Sequence, residues 1–128
     1  MVARKPSIGL SWDDVRRQGL ELPDVEESTS YGTPALKVRG KLMVRLKEDL
    51  ETVVLRTTWE DRERLMTLYP EAFHVTDHYR AHPWVLLRLA AAPRAQAAAW
   101  LLGAWRLAAP KSLAKKLQAD HTDNQPPD

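Results

Sequence analysis

Three of the four histidines, His74, His78 and His82, stand four residues apart in the stretch FHVTDHYRAHPW at 73–84. On a helix that spacing would stack three imidazoles on one face, which is how side chains converge on a metal ion. Asp77 beside His78 offers a second chemistry, a carboxylate that orients an imidazole for acid–base work. The flanking residues argue against both. Pro70 closes the preceding element, and Pro83 disfavours helical backbone at His82. Phe73-His74-Val75 is β-prone and Thr76-Asp77 is turn chemistry. The reading is a short strand at 72–76 and an irregular connection at 77–83, with no metal and no catalytic residue assigned. No serine or cysteine nucleophile is marked nearby, and the chain has no glycine-rich phosphate loop, GxSxG or HExxH. No cofactor is expected, and an enzymatic role ranks below a binding one.

A chain of 128 residues holds one domain with a real core. Apolar content of 44% and charged content of 28% are those of an ordinary globular protein. The absence of cysteine removes disulfides, zinc thiolates, iron–sulfur clusters and thiol nucleophiles. The opening MVARKPSIGL lacks the apolar run of a signal peptide, and no stretch approaches a membrane span. A cytoplasmic location without membrane attachment is therefore expected. Residues 1–119 read as a single domain and 120–128, QADHTDNQPPD from Gln118 onward, as a disordered tail.

The net charge of +2 says little, but its distribution says more. From Ser28 to Lys47 there are five bases (Lys37, Arg39, Lys41, Arg45 and Lys47) and no acid. The segment 78–119 holds seven bases and again no acid, whereas in 48–77 acids outnumber bases eight to three. Segregation of this kind points to a polarised surface.

The elements that would position these charges follow from periodicity and punctuation. Ser11 with Asp14 three residues on forms a capping-box start for a helix that ends at Leu22-Pro23. An acidic loop, 23–30, follows. Leu36, Val38, Leu42, Val44 and Leu46 then alternate with Lys37, Met43, Arg45 and Lys47, which predicts a hairpin with an apolar and a basic face. The alternation keeps phase across an odd loop, here Arg39-Gly40-Lys41. A third strand at 51–57 has no readable phase, because Val53, Val54 and Leu55 run together. Thr58 and Asp61 start a second helix that Pro70 terminates. A strand from Trp84, a long helix from Pro93 and a short basic turn after Pro110 complete the order α-β-β-β-α-β-β-α. Hairpins flanked by helices, without parallel βαβ alternation, imply an α+β fold: two layers, a mostly antiparallel sheet with helices on one face.

Three stretches, LPDVEESTSYGTPALKVRGKLMVRLKED, TDHYRAHPWVLLRL and AWRLAAPKSL, resemble the MmcQ/YjbR family over about Leu10 to Leu117. Other members carry a histidine-asparagine-lysine run ending in His-Trp. His78 and Trp84 match its ends, while Tyr79 to Pro83 depart from it. The resemblance implies a frataxin-like or secretion-chaperone-like sandwich and a DNA-binding label, and it supplies no catalytic residues to carry over.

Two function classes lead. In the first, DNA or RNA is bound through the outer face of the hairpin: Lys37, Arg39, Lys41, Arg45 and Lys47 meet phosphates, joined by Arg80, Arg88 and Lys111, while Tyr31, Tyr79 and Trp84 stack on bases. In the second, the chain is a protein-interaction or regulatory module, a monomer or weak dimer. A third reading places a small anionic ligand in a pocket of Tyr31, His78, Tyr79 and Arg80.

Overall fold

The structure, a computed structural model, describes residues 8–123. Helix α1 (Trp12–Leu20) begins with a complete capping box, in which the Asp14 amide donates to Ser11 Oγ and the Ser11 amide to Asp14 Oδ2, at 3.0 and 2.9 Å. The bonds satisfy two helix-end donors that would otherwise be orphaned. Gly19 lies in this helix where a Cβ would collide with Leu36 Cδ1, so α1 sits directly on the sheet.

The expected acidic loop is a strand instead, β1 (Val25–Ser30), paired antiparallel with β2 (Thr33–Val38) through all six residues from Val25↔Val38 to Ser30↔Thr33. Its polar sequence, VEESTS, hid it from periodicity. An edge strand gains from such polarity, since charged side chains discourage pairing with another chain. Tyr31 and Gly32, both at positive φ, make the two-residue turn.

The hairpin of β2 with β3 (Lys41–Leu46) corrects the loop argument. Its turn is Arg39-Gly40 alone, at φ 46 and 86, with Val38 opposite Lys41. Phase is restored by a bulge: Lys37 pairs with Leu42 but Leu36 with Val44, so Met43 is the extra residue. Met43, expected on the basic face, is fully buried in the helix-side core, and Leu42 faces the other way. An odd loop and an even turn plus one bulged residue preserve the same downstream alternation, which is why the sequence could not tell them apart.

Among the described residues the strands form one antiparallel sheet in the order β1-β2-β3-β4-β6-β5, with β4 at Thr52–Arg56, β5 at Phe73–His74 and β6 at Trp84–Arg88. The class is α+β. One face carries Leu36, Val38, Val44, Leu46, Val53, Leu55, Val85 and Leu87, packed under α1 and α4 (Ala97–Ala108). Fully burying each such side chain contributes about 1.5–3 kcal/mol. Trp105, completely buried, donates its indole N–H to the Pro23 carbonyl at 2.8 Å and so ties α4 to the chain after α1. Helix α2 (Trp59–Leu68) covers the same face through Tyr69, whose ring meets Trp100 edge-on at 5.5 Å.

Three expectations shift at the ends. The connection at 77–83 contains a one-turn helix, α3 (Asp77–Arg80), and it lies over the opposite face of the sheet, so the helices are not confined to one side. The long helix from Pro93 opens with a 3-10 turn at Arg94–Gln96. The basic turn after Pro110 is a helix, α5 (Lys111–Asp123), which carries regular backbone past the boundary expected at 119; the remainder of the expected tail, 124–128, lies outside the described residues. Among the described residues no helix is long and apolar enough to cross a membrane.

Candidate nucleic-acid interface

The face of the sheet away from α1 and α4 is set by the register. Ala35 pairs with Arg45, Arg45 with Val54, Val54 with Leu86 and Leu86 with His74. Two residues along from these on the same face come Lys37, Arg56, Trp84 and Arg88, and Lys47 follows Arg45 at the end of β3. These strands therefore present Lys37, Arg45, Lys47, Arg56 and Arg88 outward, against the single strand carboxylate Glu26, which sits opposite Lys37. The floor between them is apolar: Val54 and Leu86 are fully buried here rather than under α4.

Arg45 is the centre of this face, and it is not the solvent-projecting cation expected from alternation. Its residue exposure is only 5%. One terminal nitrogen donates to Tyr79 Oη at 2.5 Å, and the other to Glu48 Oε1 at 3.2 Å, Thr33 Oγ1 at 3.4 Å and the Leu46 carbonyl at 3.4 Å. Its guanidinium carbon lies 5.1 Å from the centre of the Tyr31 ring. Burial opposes the charge, but the bonds to Tyr79 and Glu48 outweigh it and hold the pKa above its ordinary value. A buried cation is tolerable only with this density of partners.

Tyr79 reaches Arg45 because a second buried arginine fixes α3. Arg62, on α2, donates to the carbonyls of Tyr79, Arg80, His82 and Trp84 at 2.9–3.4 Å. Three of those carbonyls lie in the connection and the fourth, of Trp84, opens β6; Tyr79 and His82 also accept backbone bonds from His82 and Trp84, and the planar guanidinium adds donors from a separate element that tie α2 to the connection. The same guanidinium stacks at 4.7 Å on Trp59, which is half exposed.

Two adjoining clefts result. One, of about 350 Å³, is lined by Tyr31, Arg45, Lys47, Glu48, Thr76, His78 and Tyr79. The other, of about 320 Å³, shares Tyr31, Arg45, His78 and Tyr79 and adds Leu42, Val54, His82 and Trp84. Tyr31, His78 and Tyr79 are thus brought together as the ligand reading requires. Arg80 does not join them: it is an exposed partner of Asp77 at 3.2 Å. His78 stands edge-on to Tyr79 at 4.7 Å, while His74 is on β5, so the three histidines share no helical face. Among the described residues no group of three or more histidine, aspartate and glutamate side chains is arranged to hold a metal ion.

The remaining nucleic-acid candidates are dispersed. Arg39 is taken by Asp24 at 2.7 Å, Lys41 is exposed beside the turn, and Arg88 is exposed with one bond to the Glu71 carbonyl at 3.1 Å. Lys111 starts α5, which packs Leu113 and Leu117 on the helix side, away from this face. Arg56 was missed because the Val53-Val54-Leu55 run concealed the phase of β4. It stacks 4.5 Å over Trp84, its Nε donates to the Leu42 carbonyl at 2.7 Å, and burial lowers its pKa.

Residues 20–107, which include every strand of this sheet together with α2 and α3, match the YjbR family model. The chain belongs to the YjbR family. The resemblance carried by the three sequence stretches is thereby membership, and the YjbR match contains Tyr31, Arg45, Arg62 and Tyr79. A search of curated proteins found no match.

Proposed function

We propose that this YjbR protein binds single-stranded nucleic acid across the outer face of its sheet. The observation that supports this reading is the composition of that face: five strand cations against one strand carboxylate, interleaved with aromatic rings. Lys37 and Lys47 are the side chains for phosphate contact; Lys41 pairs with Val38 and so points to the other face of the hairpin. Arg45 is too committed to its partners to serve as a third, and its part is to hold Tyr31 and Tyr79 in place. Tyr31 is 83% exposed at the apex of a tight turn, an open platform for an unpaired base. A duplex would hide its bases from that ring, which is why the single strand is favoured. The reading is of a non-catalytic, cytoplasmic, single-domain protein, monomeric or weakly dimeric.

A second reading rests on the two clefts that share Tyr31, Arg45, His78 and Tyr79. They are the size of one nucleotide rather than of a chain, and a small anionic ligand such as a mononucleotide would use the same stacking and charge.

Fluorescence anisotropy with labelled single-stranded DNA, single-stranded RNA and duplex, at several salt concentrations, tests the proposal. Single strands should bind more tightly than duplex, with a log–log salt slope of about −0.7 per phosphate contacted. Lys37→Glu with Lys47→Glu should weaken binding at least about tenfold, and Tyr31→Ala about fivefold or more, the equivalent of roughly 1 kcal/mol of stacking. Absence of binding to any of the three at low salt would end the nucleic-acid reading; tight binding of mononucleotides alone would select the second.

A further inference from the structure

The cleft of about 350 Å³ beside Tyr31 contains one group that has no part in binding phosphates or stacking bases, the Glu48 carboxylate. Glu48 follows Lys47 in the turn after β3, and its side chain is 60% exposed. A carboxylate repels a phosphate chain, so a surface shaped only for phosphates would have no use for an acid here.

The surrounding contacts fix where that acid lies. Glu48 Oε1 accepts from Arg45 at 3.2 Å, and the same guanidinium lies over the Tyr31 ring with its carbon 5.1 Å from the ring centre. Arg45 therefore holds the carboxylate at the margin of the aromatic platform, one guanidinium away. Lys47, the preceding residue, lines the same cleft. Ring, carboxylate and ammonium thus border one space, and a nucleotide has a base, a sugar and a phosphate to place in it. The ring suits the base and the ammonium the phosphate. The carboxylate is left for the sugar, which joins the two.

The chemistry of the carboxylate narrows the choice further. A bond from its own backbone amide, followed by the bond from Arg45, outweighs desolvation and keeps the Glu48 pKa below its ordinary value. Ionised, the group can only accept, and the Arg45 bond on Oε1 leaves lone pairs for another donor. Inside a strand the 3′ and 5′ oxygens of each sugar are esterified. The one hydroxyl donor a sugar can still offer is the 2′-OH, which RNA has and DNA lacks.

We propose that this cleft selects RNA over DNA, the Glu48 carboxylate accepting the 2′-hydroxyl of the nucleotide whose base stacks on Tyr31. Selection of this kind rests on the single-strand reading of the outer face and narrows it to one sugar. A ribose returns a hydrogen bond for the water that the carboxylate loses. A deoxyribose displaces the water and returns nothing, while the neighbouring phosphate still repels the acid.

Equilibrium titrations of the full chain with labelled oligo(U), oligo(dU) and 2′-O-methyl oligo(U), of equal length and at one low salt concentration, isolate the hydroxyl. All three carry the same base, and the methylated strand keeps a ribose-like sugar without the donor. Oligo(U) should bind at least about fivefold tighter than either of the others, the margin that one charge-assisted bond to an exposed group supplies. Glu48→Ala, checked by circular dichroism, should bring the ratio of RNA to DNA affinity to within about twofold of one. If Glu48 served only to hold Arg45, both affinities would fall together and the ratio would persist. Equal binding of oligo(U) and oligo(dU) by the wild type, a methylated strand that binds as tightly as oligo(U), or an unchanged ratio in Glu48→Ala would overturn the proposal and leave the single-strand reading in place. Failure of all three strands to bind would remove both.

Discussion

The guanidinium of Arg45 and the hydroxyl of Tyr79, 34 residues apart in sequence, meet in a 2.5 Å hydrogen bond on the outer face of the sheet. That bond joins β3 to α3, an element too short to be stable alone. Removing the hydroxyl with Tyr79→Phe leaves a donor of a buried cation without its acceptor, which costs about 1–3 kcal/mol. Urea unfolding measures the loss. Arg45→Ala should cost more than Tyr79→Phe, because it also strips the partners of Thr33 and Glu48 and removes a buried stem. A Tyr79→Phe protein as stable as wild type would show that the contact contributes nothing.

The bulge in β3 makes a prediction opposite to strict alternation. Met43 is fully buried in the helix-side core, while Leu42, its neighbour, is only half-buried on the outer face. Met43→Ala should therefore destabilise by about 2–5 kcal/mol, the usual range for emptying a packed core position. Leu42→Ala should cost clearly less. Thermal or chemical unfolding of the two variants side by side decides the matter, and the reverse ranking would place the bulge elsewhere.

How much of this was legible in the sequence depends on which signal each element carried. The helix starts were written in local chemistry, Ser11 with Asp14 and Thr58 with Asp61, and local chemistry survives folding: Ser11 and Thr58 both accept from the amide three residues on. The α+β class followed from hairpin alternation for the same reason. β1 was not legible because its side chains, VEESTS, answer to an edge position, and only pairing with β2 makes them a strand. Its appearance matters for the site, since Asp24 and Glu26 come beside Arg39 and Lys37 and dilute what looked like an unopposed basic segment. Of the four residues grouped as a ligand pocket, Tyr31, His78 and Tyr79 line one cleft, whereas Arg80 turns to Asp77, a local pairing that residue type does not reveal. Arg45 and Arg62 were not distinguishable from surface arginines, because what buries them is Tyr79 and four carbonyls contributed from elsewhere in the chain.

Two groups give the stability a pH dependence in separate windows. Burial, with help from Arg88 and Lys47, lowers the His74 pKa from 6.5. The unfolded chain then binds a proton that the native state resists, so stability is full above pH 6.5 and declines as pH falls below it. The Asp14 carboxyl is held far below its ordinary 3.8, first by the hydrogen bond from Arg94 at 3.0 Å and then by the Ser11 cap. Its contribution is present above pH 3.8 and is lost as pH falls from there through the depressed folded value. Thermal midpoints of wild type, His74→Phe and Asp14→Asn across this range separate the two. His74→Phe should flatten the decline that begins near 6.5 and leave the acid limb unchanged. Asp14→Asn should lower the midpoint at neutral pH and flatten only the limb below 3.8, where Asp13, Glu48 and Asp49, also depressed, continue to titrate. An Asp14→Asn protein with wild-type stability at neutral pH would mean that the bond from Arg94, 80 residues away in sequence, does not hold α1 against the start of α4 in solution.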